Sequence, residues 1–221
     1  MKKISIMILF FISFSGVIFS QNISREEYNK LAMHYFETKD ERIIYETIEI
    51  YKNDIQNSNF DKFDSNVMFF FYGIKKDNID RYYSFYEIVK QSKANKLVKI
   101  FNSIEESVVD NYLLNPPIST TLNDYYWTLY FSSGNVDYLN QILVIINMHK
   151  DSDDMIKYLA ANSGIWSFML NVKTYPNVLN YIERNQIIDK ELKRIILEKD
   201  VNDFNKEVVE HIKIQRGKGN W

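Results

Sequence analysis

Apolar side chains recur every three or four residues along most of this chain, from Tyr28 to Ile212, and few glycines or prolines interrupt them. That spacing places them on one face of an α-helix and does not fit the period of two that a half-buried strand requires. Six Gly and three Pro in 221 residues are too few to punctuate a sandwich of many short strands. The chain is therefore expected to be all-α, an irregular α-α array or α-solenoid of antiparallel helix pairs forming a single domain.

The rows can be followed one by one. Ser24 and Glu27 form a capping box ahead of Tyr28, Leu31, Ala32, Tyr35 and Phe36. Ile44, Ile48, Tyr51 and Ile55 make the next row, and Asn57 to Asp64 reads as a loop. Val67 to Tyr72 is apolar without a break and too short to cross a membrane, so it is either a fully buried helix or a strand, and its helical neighbours favour helix. Ile79, Tyr82, Tyr83, Tyr86 and Val89 follow, then one row from Ala94 to Val108. Asn115, Pro116 and Pro117 stop the chain and mark a subdivision near 115–118, since proline lacks an amide and restricts the residue before it.

Thr121 and Asp124 are a capping pair for a helix that ends at Gly134, a residue suited to a left-handed cap, and Asn135 can cap the next. Asp151 to Asp153 signal another start, before a row that carries Ile156, Leu159, Ala160, Ser163 and Leu170 inward. Thr174 is read as a cap with Pro176 in the first turn, and Asn171 as the end of the preceding helix. Leu192, Ile195 and Ile196, then Phe204, Val208 and Ile212, give two closing helices. Residues 215–221 have no row and read as a flexible tail, with Trp221 able to dock back on the body.

An imperfect repeat runs through this pattern. Phe36-Glu-Thr-Lys-Asp40 aligns with Phe131-Ser-Ser-Gly-Asn135, and Tyr72-Gly-Ile-Lys-Lys-Asp77 resembles a third copy. Stacked helix pairs bury faces that no single pair could bury alone.

Residues 1–20 have the tripartite pattern of a secretory signal peptide: Lys2 and Lys3, an apolar run from Ile4 to Phe19, and a small residue, Ser20, with an uncleaved anchor as the competing reading because Ile18 stands two residues before Ser20. Cleavage after Ser20 leaves residues 21–221, a helical domain over 21–214 and its tail, with 25 basic against 29 acidic side chains, a formal charge of −4. Acids and bases alternate along every segment, which argues against nucleic acid as a partner. With no cysteine the fold is held by burial rather than disulfides, and no transmembrane segment is expected once the leader is removed. The expected location is the periplasm or the extracellular space.

Between Asp124 and Glu183, the segments Tyr125-Tyr-Trp-Thr-Leu-Tyr-Phe-Ser-Ser-Gly134, Ala160-Ala-Asn-Ser-Gly-Ile-Trp166-Ser167, Asn171 and Pro176-Asn-Val178 resemble a family of uncharacterised exported bacterial helical proteins. The resemblance covers about sixty residues. It implies export and a helical fold, and brings no activity with it. Phe168-Met-Leu170 departs from the smaller residues usual there.

No constellation announces catalysis. His34, His149 and His211 stand in no metal-binding frame, and the acidic stretch Asp151 to Asp154 lacks the central Gly and closing Glu of a calcium loop. Glu26-Glu27 and Glu105-Glu106 are adjacent in sequence and so diverge on a helix. No nucleophile elbow or phosphate loop occurs. Neither catalytic residues, a metal nor a cofactor is predicted.

The remaining signal is aromatic. Tyr82, Tyr86, Tyr126, Trp127, Tyr130 and Trp166 are the candidate binding residues, because Tyr and Trp combine large contact area with a polar tip. Core packing is the competing explanation for the same spacing. The expected function is a non-catalytic envelope protein that binds another protein or a peptide through a helical-repeat surface. The alternatives are a hydrolase-like enzyme whose site forms only in three dimensions, or a structural or inhibitory partner of a neighbouring gene product.

Overall fold

A computed structural model describes residues 25–53, 60–150 and 154–221. Within them the chain is all-α. Its helices are α1 (Arg25–Met33), α2 (Tyr35–Thr38), α3 (Arg42–Asn53), α4 (Phe60–Asp77), α5 (Ile79–Gln91), α6 (Asn95–Glu105), α7 (Val108–Leu114), α8 (Thr120–Ser133) and α9 (Asp137–Ile146). A 3-10 turn (Asn147–Lys150) leads to α10 (Met155–Thr174), α11 (Pro176–Arg184), α12 (Lys190–Glu198) and α13 (Val201–Gly217). Ser24 and Asp151 to Asp153, expected to cap helices, lie outside the described residues.

Two compact units divide the chain, with the division falling inside α8 and α9. One contains residues 25–116 and 124–139, the other 117–123 and 140–221.

The first unit is organised around α4. Its apolar run is buried except for half-buried Met68, with Phe69, Phe71 and Ile74 at most 2 % exposed, and α5, α6 and α7 pack on it. A helix apolar all round needs such a jacket, because no face of it tolerates water. Phe71 lies 4.8 Å from Phe101 and 6.2 Å from Phe85, edge-on to the latter, so three helices share one aromatic cluster. Gly73 allows α4 to approach α8, since a Cβ there would lie 1.9 Å from Ser132 Oγ and 3.2 Å from the Leu129 carbonyl oxygen.

The second unit is organised around α10, on which the 3-10 turn, α11, α12 and α13 pack. Its core face is Ala160, Ala161, Gly164, Ile165, Phe168 and Met169, all buried. Small residues bring neighbouring backbone close: a Cβ at Gly164 would lie 2.8 Å from Ile146 Cγ1. Asp154, Asp189 and Asp200 cap α10, α12 and α13 by accepting hydrogen bonds from backbone amides of the first turn.

Several boundaries differ from expectation for local reasons. Helix α4 starts at Phe60, inside the stretch read as a loop. The row from Ala94 to Val108 is broken at Ser107, which adopts a left-handed φ of 60° between α6 and α7. Ser119, not Thr121, caps α8, its Oγ accepting from the Leu122 amide at 3.2 Å. Thr174 and Asn171 belong to α10, and Tyr175 occupies the cap before Pro176. Along α10, Ile156 is 64 % exposed rather than inward. The last helix continues through Gly217, and Trp221 packs 5.2 Å from Tyr158 and 5.6 Å from His211.

Candidate functional site

The aromatic candidates separate into three settings. Tyr82 is fully buried, stacked on Phe101 at 5.3 Å, with its hydroxyl donating to the Phe101 carbonyl oxygen at 3.3 Å. Half-buried Tyr86 stacks on the same ring at 5.5 Å and donates to Asn102 Oδ1. Tyr126, Trp127 and Tyr130 are likewise buried, Trp127 stacking on Phe131 at 5.6 Å. Burial pushes the Tyr130 hydroxyl up to about 12, and the nearby Glu37 carboxylate adds to this. These rings fill the interior of the first unit.

Trp166 is in a different setting. It is half-buried and lines a groove of about 340 Å³, open to solvent, in the second unit. From α10 the apolar lining is Met155, Leu159 and Trp166, and from α13 it is Phe204, Val208 and Ile212. Both sets follow from helical spacing: positions 155, 159 and 166, and positions 204, 208 and 212, each lie along one face. The two helices pack on one another. Between Met155 and Trp166 the groove runs about 17 Å at 1.5 Å per residue.

Polar groups stand among these side chains. Thr120, Asn162, Ser163, Asn205 and Arg216 complete the lining. Asn162 is 8 % exposed, and its Nδ2 donates to the Tyr158 carbonyl oxygen at 2.8 Å. Ser163 Oγ accepts from Asn123 Nδ2 at 3.0 Å. Arg216 is exposed at the far end of α13 and makes no ion pair among the described residues. No lining residue of this groove is a carboxylate or an imidazole.

Two further clefts differ from this groove. One, of about 40 Å³ in the first unit, is lined by Tyr28, Ala32, Met33, Val67 and Phe70, with the buried amide oxygens of Asn29 and Asn66 unpartnered among the described residues. The other, in the second unit, is lined by Glu191, Arg194, Glu198, Lys199 and Glu207 and is a solvated charged face, with Lys199 paired to Glu207. Neither brings histidine to a carboxylate. No group of three or more His, Asp or Glu arranged to hold a metal occurs among the described residues. No helix among them is long and apolar enough to cross a membrane.

Sequence reasoning singled out Trp166 but not its neighbours in the groove. The signal was there, since Leu159, Phe204, Val208 and Ile212 were recognised as apolar rows. What it lacked was the knowledge that two of those rows leave a channel between them.

The described residues thus form an all-α fold with an open, largely apolar groove between α10 and α13. Compared with family models, curated proteins and solved structures, the chain matches none.

Proposed function

We propose that this chain is a non-catalytic binding module, exported to the cell envelope, whose α10–α13 groove receives an apolar segment of a partner protein. The observation that carries this reading is the groove itself: six apolar side chains on two facing helices line about 340 Å³ that the described residues do not fill. An open apolar channel with a few polar groups along it is the usual form of a recognition site. Export is supported by the basic, apolar and small-residue order of residues 2–20.

The experiment is a selection of random heptapeptides displayed on phage against the folded chain. Apolar sequences are expected to be enriched, and the enrichment is expected to disappear when the selection is repeated on Leu159→Lys and Trp166→Ala variants with unchanged helical circular dichroism. Equal enrichment on those variants would place binding elsewhere and remove this reading.

A further inference from the structure

The groove carries hydrogen-bonding capacity that a purely apolar partner would leave unused. Asn162 is 8 % exposed, and its Nδ2 is committed to the Tyr158 carbonyl oxygen. Only the nitrogen of an amide can donate to a carbonyl, so the side chain cannot be turned round, and Oδ1 is the atom left over. It has no hydrogen-bond partner among the described residues. Ser163 shows the opposite vacancy. Its oxygen accepts from Asn123 Nδ2, which also donates to the Ala160 carbonyl oxygen at 2.7 Å and is fixed by it. The Ser163 hydroxyl proton has no acceptor among the described residues.

On the facing helix, half-buried Asn205 makes no side-chain hydrogen bond among the described residues and offers both a donor and an acceptor. Consecutive positions on α10 thus present one acceptor and one donor, and α13 presents a further amide. A peptide group supplies the complement, with its N–H donating and its C=O accepting.

The geometry points to an extended peptide, recognised through its main-chain amides, as the occupant of this groove. The inference rests on the binding reading given above. A peptide N–H donates to Asn162 Oδ1, a peptide carbonyl accepts from Ser163 Oγ, and Asn205 serves a second peptide group from the α13 side. Alternate side chains of an extended strand then point to the apolar lining. About five residues at roughly 3.3 Å each match the length of the groove. A carboxylate on the partner, at its chain end or on a side chain, meets the unpaired guanidinium of Arg216.

Other occupants serve these groups less well. The interior amides of a helix are bonded within the helix and would leave Asn162 Oδ1 desolvated without a donor, which carries a penalty. An acyl chain with its head at Arg216 has no N–H to offer.

The test uses the most enriched heptapeptide from the display selection, synthesised with each backbone amide N-methylated in turn and titrated calorimetrically into the full chain. At least one methylation is expected to weaken binding roughly tenfold, the scale of one lost hydrogen bond. Asn162→Leu is expected to weaken the unmodified peptide by a similar factor and to abolish the sensitivity to that methylation. Should Asn162→Leu fail to fold, Ser163→Ala, at a half-buried position, is the second variant: it is expected to weaken the unmodified peptide while leaving the sensitivity to N-methylation in place, and unchanged affinity overturns the inference. Uniform tolerance of N-methylation, or tighter binding when helix-promoting α-aminoisobutyrate is introduced, overturns the extended-backbone inference while the groove reading stands. Absence of any groove-dependent enrichment in the selection removes the groove reading itself.

Discussion

Asn123 on α8 donates from one amide nitrogen to Ser163 Oγ at 3.0 Å and to the Ala160 carbonyl oxygen at 2.7 Å, tying two points of α10 together. Asn123 is 1 % exposed, so neither bond competes with water in the folded chain. Asn123→Ala removes both. We expect it to destabilise the fold by about 1–3 kcal/mol, the range for buried polar groups that lose their partners. Urea denaturation monitored by circular dichroism measures this, and an unchanged midpoint would mean that the bonds contribute nothing.

The approach of α4 to α8 sets a second expectation. A methyl group at position 73 meets Ser132 Oγ at 1.9 Å and Cβ at 3.1 Å, with the Leu129 carbonyl oxygen at 3.2 Å. Gly73→Ala is expected to cost about 1–3 kcal/mol through overpacking. Adding Ser132→Ala removes the nearest clash, so the double variant should recover part of the loss, although the backbone contact persists. Strict additivity of the two substitutions in denaturant titrations would contradict this account.

Ser107 offers a stabilising change. It is exposed, left-handed at φ 60°, and its side chain makes no cap hydrogen bond. A side chain in that conformation costs about 1–2 kcal/mol, and glycine relieves this while losing more entropy on folding. Ser107→Gly should therefore raise stability by roughly 0.5–1 kcal/mol. A lower melting temperature would show that the serine is held there by interactions beyond its cap geometry.

Alkaline pH should weaken the first unit. Burial pushes the Tyr28 hydroxyl from its ordinary 10.0 up to about 12, the hydrogen bond with Thr47 opposes this in part, and Glu46 adds to it. The neutral phenol is thus the form the fold favours. Below pH 10 it is neutral in both folded and unfolded chains and the contribution is complete. Between about 10 and about 12 the unfolded chain ionises first, and stability falls. Tyr130 acts in the same direction. The urea midpoint should decline above pH 10, and the decline should be shallower in Tyr28→Phe. An identical slope in that variant would assign the alkaline transition to other groups.

The helices were legible because periodicity survives in the sequence whatever packs against it. Val67 to Tyr72 could be placed in a helix from its neighbours alone, and it is the middle of α4. The aromatic rows were legible as rows, but not as interior or surface: Tyr82 and Trp127 bury the same spacing that a binding face would expose. The groove shows the converse. Leu159 and Ser163 belonged to the row assigned to the core, and they line the channel because α10 turns its smaller residues, Ala160, Ala161 and Gly164, toward its other neighbours. Which face of an amphipathic helix remains uncovered depends on the partner helix, and local spacing holds no record of that. The hydrogen-bond vacancies of Asn162 and Ser163 were invisible for the same reason, being defined by what Asn123 and the Tyr158 carbonyl oxygen already occupy.

The repeat noticed between Phe36–Asp40 and Phe131–Asn135 is a repeat of backbone. Lys39 and Gly134 hold equivalent left-handed positions, at φ 50° and 77°. Asp40 Oδ1 then accepts from the Arg42 amide at 3.0 Å, as Asn135 Oδ1 accepts from the Asp137 amide at 2.9 Å. One bend is thus built twice from different residues at its strained point. A profile meant to find distant kin of this chain should accordingly weight the aromatic residue and the short side-chain acceptor four places on. Glycine, the usual landmark of such corners, would make it miss the copy carrying lysine.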